Sequence, residues 1–172
     1  MGRIWDEAKN IKLLMDASSH IHYPIKLAGD ARFEGNSSST EGDNITYLGK
    51  LSMQEVAAQL STAAVYVLPA KYEPFGLSVL EAALSGCALV LGKIDSLQEI
   101  WGDSAVYINT DDADELADKV NELMENEMLR NQYVQAAINR AKQYSTTIMV
   151  ENYLQVYRQL LQQKQLIQQE IV

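Results

Sequence analysis

Cysteine is almost absent, with one, Cys87, in 172 residues. No disulfide framework can form within the chain, and a thiolate metal site lacks ligands. Cys87 opens the apolar run Cys87–Leu91 and reads as a small core residue. Histidine is nearly as scarce: the only two are His20 and His22. They lie in a turn with no third ligand nearby, so a zinc site on them is set aside. No apolar stretch is long enough to span a bilayer, and the first residues carry no secretory signal pattern. The expected location is therefore cytoplasmic, and the Asn-x-Ser/Thr triplets at Asn36 and Asn44 read as coincidence. Positive charge is also in short supply. Fourteen Lys and Arg stand against 23 Asp and Glu, a net charge of −9. A DNA or RNA partner needs clustered cations, so no nucleic acid is expected. A small anionic ligand, which needs only a few cations, stays open.

Hydrophobic residues make up 47% and charged residues 22%, which is enough apolar surface for one packed domain. Short apolar, β-branched runs alternate with amphipathic stretches. Strands are expected at Ile25–Gly29, Asn44–Leu48, Ala64–Leu68, Cys87–Leu91 and Ala105–Ile108. Helices are expected at Ala8–Ser18, from the Ser52 cap to Leu60, and at Ser78–Ser85. Ser96–Trp101 is a short helical turn, and three helices cover about 111–125, 127–143 and 147–169. Residues 30–43 read as a Gly/Ser-rich surface loop. This alternation predicts an α/β fold, a doubly wound parallel sheet (Rossmann-like) with a helical C-terminal segment. Residues 1–145 form the Rossmann-like domain and 146–172 the C-terminal helix. The helix at Ala8 needs a strand to feed it, and the first central strand is expected to be truncated near Gly2.

The segment Leu68–Leu91 runs strand, loop, helix, glycine, strand. In open α/β sheets ligands bind beyond the carboxyl ends of strands. Glu73 lies in that loop, Gly76 just before the helix, and Glu81 one turn inside it. The backbone N–H groups of Phe75, Gly76 and Leu77 are expected to be free, and the helix dipole favours a phosphate there. Gly76 lets a ligand approach the backbone, and each carboxylate can grip a diol. A nucleotide sugar has hydroxyls at both ends and phosphate in the middle. Spacing alone is weak support, because glutamates are common here and stabilise a helix start without any ligand.

The string Tyr72-Glu73-Pro74-Phe75-Gly76-Leu77, followed by Val79-Leu80-Glu81-Ala82, resembles the signature of retaining glycosyltransferases with two facing Rossmann-like domains. This is the GT-B type, group 1 or glycogen-synthase-like. Gly2-Arg3 with Lys9 resembles the Gly-Arg…Lys pair near the start of that family's C-terminal, donor-binding domain. Leu27-Ala28-Gly29, Tyr47-Leu48-Gly49 and Ser96–Gly102 resemble later segments in order, so nearly the whole chain is covered. The resemblance implies that Glu73 contacts donor-sugar hydroxyls, with Arg3 and Lys9 clamping the diphosphate; these are the catalytic candidates. It implies that Phe75, Gly76 and Leu77 present amides to sugar and phosphate, and that Glu81 holds the ribose diol. Gly2 joins the donor site, and Leu48 and Gly49 lie against the base. Lys9 and Arg3 read equally well as surface charges, and Leu48-Gly49 as an ordinary strand end. Glu99 is read as a local capping residue. Tyr66, Tyr107, Trp101 and Phe75 are core or pocket-wall aromatics.

By that resemblance the enzyme needs no cofactor and no metal, since cations and a helix end stabilise the leaving diphosphate. Its role would lie in carbohydrate biosynthesis. The acceptor is unknown, and its site would sit on an N-terminal domain missing from this chain, so the chain alone is expected to bind donor and transfer poorly. The full-length enzyme leaves room for peripheral membrane association. The stripe Val150, Tyr153, Leu154, Tyr157 and Leu161 either packs on the chain's own sheet or stays open, for self-association among other uses. Two other readings compete. One is a non-catalytic nucleotide-binding or interaction module. The other is a different phosphate-binding α/β enzyme such as a sugar-phosphate epimerase; the lack of any G-x-G-x-x-G at a strand end counts against it.

Overall fold

The computed structural model describes residues 2–3, 5–30 and 44–170, with side chains over 5–29 and 44–163. The expected surface loop therefore lies outside the described residues, apart from its first position. In chain order the strands are β1 (Gly2–Arg3), β2 (Ile25–Asp30), β3 (Ile45–Gly49), β4 (Val65–Leu68), β5 (Ala88–Gly92) and β6 (Val106–Ile108). The helices are α1 (Ile11–Ala17), α2 (Met53–Leu60), α3 (Leu77–Leu84), α4 (Asp95–Trp101), α5 (Ala113–Glu125), α6 (Glu127–Ala141) and α7 (Thr146–Glu170). Local chemistry explains several boundaries. Ser52 caps α2 in a capping box with Glu55, satisfying donors that a helix start leaves open. Pro69 follows β4 directly and cannot donate to a ladder.

All strand pairs are parallel, in the orders β1-β2-β3 and β4-β5-β6. Read from one edge the succession is 3-2-1 then 4-5-6, the doubly wound order. β5 is buried at every position, and its alternate side chains feed two cores. Leu89 and Leu91 join Val79, Ala83, Leu97 and Trp101 on one face. Ala88 and Val90 join Leu13, Leu14, Leu116 and Leu123 on the other. Period-2 alternation on a strand covered by helices on both sides produces this division.

The first strand is short among the described residues. Among the described residues β1 pairs Gly2 with Gly29 and Arg3 with Asp30. Among the described residues no rung joins β1 to β4. An apolar cavity of about 370 Å³ opens between β2 and β4, lined by Leu14, Leu27, Leu60, Val65, Val67 and Val120. It touches α1 and α5 on one face and α2 on the other, so it passes through the sheet where a longer β1 would lie.

Cys87 is fully buried, and its Sγ lies 3.4 Å from the carbonyl oxygens of both Leu60 and Ala63. Burial pushes the thiol up to about 11 from an ordinary value of 9. The neutral thiol's contribution to stability is complete below the unfolded value and disappears as pH climbs through the folded one. An aromatic disulfide reagent at pH 8 is therefore expected to leave Cys87 untouched in the native protein. The same reagent titrates one thiol per chain in denaturing urea, and absorbance of the released thiolate checks both results.

Of the two fates left open for the apolar stripe, the structure takes exposure. Val150, Tyr153, Leu154, Tyr157 and Leu161 on α7 are 45–62% exposed. The chain's own sheet has no place for them, because α6 already covers that face through buried Ala137 and Ala141. Among the described residues no helix is long and apolar enough to cross a membrane.

Candidate functional site

The site is built where β4 hands over to α3. Leu68 and Pro69 end the strand, the loop runs to Gly76, and α3 starts at Leu77. Gly76 adopts φ 82°, a conformation that disfavours any Cβ. A Cβ there would also stand 2.9 Å from Val79 Cγ2. The tight reversal folds Glu73 back under the helix start. Glu73 Oε1 accepts the Gly76 N–H at 2.9 Å and the Phe75 N–H at 3.4 Å. Its Oε2 pairs with Lys9 Nζ. The Ser96 hydroxyl donates to the Glu73 carbonyl at 2.6 Å, fixing the loop from α4.

This corrects the expectation of free amides. Phe75 and Gly76 are satisfied by the chain's own carboxylate, because the loop is tight enough for Glu73 to reach back three residues and cap it. Among the described residues, the Leu77 N–H has no hydrogen-bond partner. The anion-favouring helix start therefore already holds an anion, and the Lys9 ammonium balances it. Both side chains are sheltered, Lys9 at 20% and Glu73 at 11% exposure.

Lys9 closes a 3-10 turn, Glu7–Lys9, capped by Asp6, whose Oδ1 accepts the Ala8 N–H at 3.0 Å. The Ala8 carbonyl accepts the Lys71 and Tyr72 N–H groups at 2.9 and 3.3 Å. Asn10 follows with φ 54°, and its side-chain amide donates to the carbonyls of Pro69 and Thr110 at 3.0 and 2.8 Å. Three loops at the carboxyl ends of β1, β4 and β6 are thus tied together.

Glu81 is exposed on α3 and makes no side-chain hydrogen bond or ion pair among the described residues. Beneath the helix, the Tyr66 hydroxyl bonds Ser78 Oγ at 2.8 Å. Burial pushes this phenol up to about 12, and the charges of Glu73 and Glu81 add to the rise.

The other expected residues are more scattered. Gly2 and Arg3 form β1, but the Arg3 side chain lies outside the described residues. Leu48 lines the slot between β2 and β4, and Gly49 is exposed at the end of β3 with φ 67°. Glu99 does not cap a loop. Its exposed side chain has no hydrogen-bond partner among the described residues, and its carbonyl accepts from Arg140 Nη2 at 3.0 Å. Phe75 packs edge-on to Tyr144 at 5.4 Å, while Trp101 is a core residue. His20 and His22 lie against Asp114 and Glu125 at 3.2 and 3.7 Å. Asn44 ties its loop to the Ser18, Ile21 and Tyr23 carbonyls. Sequence reasoning missed Asn10 and Ser96. Asn10 carried one signal, since asparagine is among the few residues at ease in left-handed backbone. Among the described residues no three His, Cys, Asp or Glu side chains are grouped to hold a metal ion.

A doubly wound parallel sheet, with a lysine, a glutamate and a helix start converging at its strand ends, defines a Rossmann-like domain. The family model described as "Glycosyl transferases group 1" matches residues 1–140, and the chain belongs to that family, of the GT-B type. O-antigen chain mannosyltransferase B of Escherichia coli is 26% identical over 164 residues, covering 88% of this chain and 43% of that protein. Sucrose-phosphate synthase from Thermosynechococcus elongatus superimposes with a TM-score of 0.76 at 22% identity, covering 91% of this chain and 43% of that one. Anabaena Alr3699/HepE, solved with UDP and glucose, does so with 0.74 at 19%, covering 94% and 47%. These structural likenesses establish the fold. The chain spans less than half the length of the curated relatives it matches.

Proposed function

We propose that this chain is the donor-binding half of a retaining glycosyltransferase, taking a sugar from a nucleoside diphosphate sugar. The observation that carries the reading is the Lys9–Glu73 pair lodged at the start of α3. In this structure the corner holds its own carboxylate and cation. With donor bound, the diphosphate takes the Lys9 ammonium, sugar hydroxyls donate to Glu73, and the Leu77 amide faces phosphate. Arg3 joins Lys9 on the diphosphate, Glu81 accepts from the ribose diol, and Gly2, Leu48 and Gly49 line the nucleotide. As the sugar–phosphate bond breaks, negative charge builds on the departing diphosphate, and fixed cations stabilise it more than the ground state. The sugar keeps its anomeric configuration. The proposed route needs no metal. The acceptor and the groups that activate it belong to a second domain, so residues 1–172 bind donor and transfer little; residues 146–172 are the segment that reaches that domain. The structure of HepE with UDP and glucose supports a nucleotide-sugar ligand for this fold.

Calorimetric titration with UDP, GDP and ADP tests the proposal. One of the three is expected to bind. Glu81→Ala should weaken it at least tenfold, the value of one or two hydrogen bonds to a charged group at about 1.5–3 kcal/mol each. Because Glu81 is exposed and unpartnered, the melting temperature stays put. A folded sample that binds none of the three favours the non-catalytic module instead.

A further inference from the structure

We infer that Asn10 is a positioning residue that holds Lys9 at the diphosphate subsite, an assignment that rests on the donor-site reading above. Lys9 is a long, flexible side chain on a turn of three residues, and such a turn does not fix itself. Asn10 does two jobs there. Its left-handed backbone, φ 54°, lets the 3-10 turn reverse into α1, which glycine could also do. Its side-chain amide then spends both donors on carbonyls from other loops, Pro69 after β4 and Thr110 after β6, and an Asn amide has only two donors. No other side chain combines left-handed tolerance with a pair of neutral donors. Aspartate keeps the backbone preference but would set carboxylate oxygens against two carbonyls.

The tie reaches Lys9 through its immediate neighbours. Pro69 begins the loop that carries Lys71 and Tyr72, whose amides grip the Ala8 carbonyl, and Glu73, which receives Lys9. Thr110 precedes Asp111, which pairs with Lys71 Nζ at 2.5 Å. Asn10 therefore fixes the distance between the turn that bears Lys9 and the loop that presents Glu73. Without the amide the turn keeps only the Ala8 carbonyl bonds and the Lys9–Glu73 pair, and Lys9 is held less firmly at the point where the diphosphate would sit.

The test uses Asn10→Gly and Asn10→Asp in the full chain, with two readouts. Hydrogen exchange at the Lys71 and Tyr72 amides follows the tie without any ligand. Calorimetry with UDP and UMP (or the GDP/GMP or ADP/AMP pair, where that base binds instead) separates diphosphate contact from nucleoside contact. Asn10→Gly should speed exchange at those two amides at least tenfold and lower the melting temperature by only a few degrees. It should weaken UDP about tenfold and leave UMP within twofold; Asn10→Asp is at least as severe. Unchanged exchange, or equal loss for UDP and UMP, overturns the assignment, since a general structural role would move both nucleotides together. If the wild-type chain binds no nucleotide, the donor-site reading fails, and the exchange readout alone decides whether Asn10 holds the turn.

Discussion

Replacing Glu73 by alanine should lower the unfolding free energy by about 2–4 kcal/mol. The carboxylate accepts two backbone N–H groups at the start of α3 and pairs with Lys9. Hydrogen bonds to a charged acceptor contribute about 1.5–3 kcal/mol each when the donor is left stranded by their loss. The Phe75 bond is long, so it counts for less than the Gly76 bond. Lys9 keeps 20% of its side chain exposed and can turn its ammonium to water, so its share is small. At roughly 2–4 °C per kcal/mol for a chain of this size, the melting temperature falls by about 5–15 °C. Glu73→Gln keeps an oxygen for the Gly76 amide and loses only the charge, so its cost is about 1 kcal/mol. Urea unfolding of the three proteins decides the matter. A loss below 1 kcal/mol for alanine would show that water caps the helix as well as the carboxylate does.

That double use of Glu73 marks the limit of what the residue order could reveal. Composition and spacing place Glu73, Gly76 and Glu81 around a helix start, and the structure puts them there. They do not say which acceptor the amides find before a ligand arrives. A carboxylate three residues back competes with an external phosphate for the same donors, and spacing alone fits both. The strands and most helix limits were legible because their causes are local: a capping box at Ser52 and Glu55, a stop at Pro69, a glycine with φ 89° at Gly86. Asn10 was not legible, since its partners lie 59 and 100 positions away. The stripe on α7 was legible as apolar, with its burial and its exposure both left open. Periodicity reports that a face is apolar, while whether that face is buried depends on α6 having taken the place first.

An apolar extension of three residues, such as Val-Ile-Val, joined ahead of Met1 should raise the melting temperature by about 5–15 °C. The register fixes its length. Gly2 stands opposite Gly29 in a parallel ladder, so a strand continued back from Gly2 through four positions would run opposite Ala28 to Ile25. Along that stretch β2 is paired only with β3 among the described residues, and β4 only with β5. A strand placed there fills the cavity of about 370 Å³ and gains ladder hydrogen bonds on both edges. Burying three or four aliphatic side chains contributes about 1.5–3 kcal/mol each. Ordering the added residues costs about 1–2 kcal/mol apiece, and each ladder bond returns about 1 kcal/mol. Area-based burial is an upper estimate, so the realised net gain is about 2–5 kcal/mol, which sets the expected shift in melting temperature. A Ser-Gly-Ser extension is the control and should change nothing. Hydrogen exchange gives the sharper reading, because a strand between β2 and β4 must slow exchange at amides on both facing edges, whereas apolar residues that merely collapse onto the surface slow neither. Equal melting temperatures for the two extensions would mean that the two half-sheets close the gap themselves. In that case the Lys9 turn is held to the β4 loop by Asn10, the Ala8 carbonyl and the Lys9–Glu73 pair, and not by a continuous sheet beneath it.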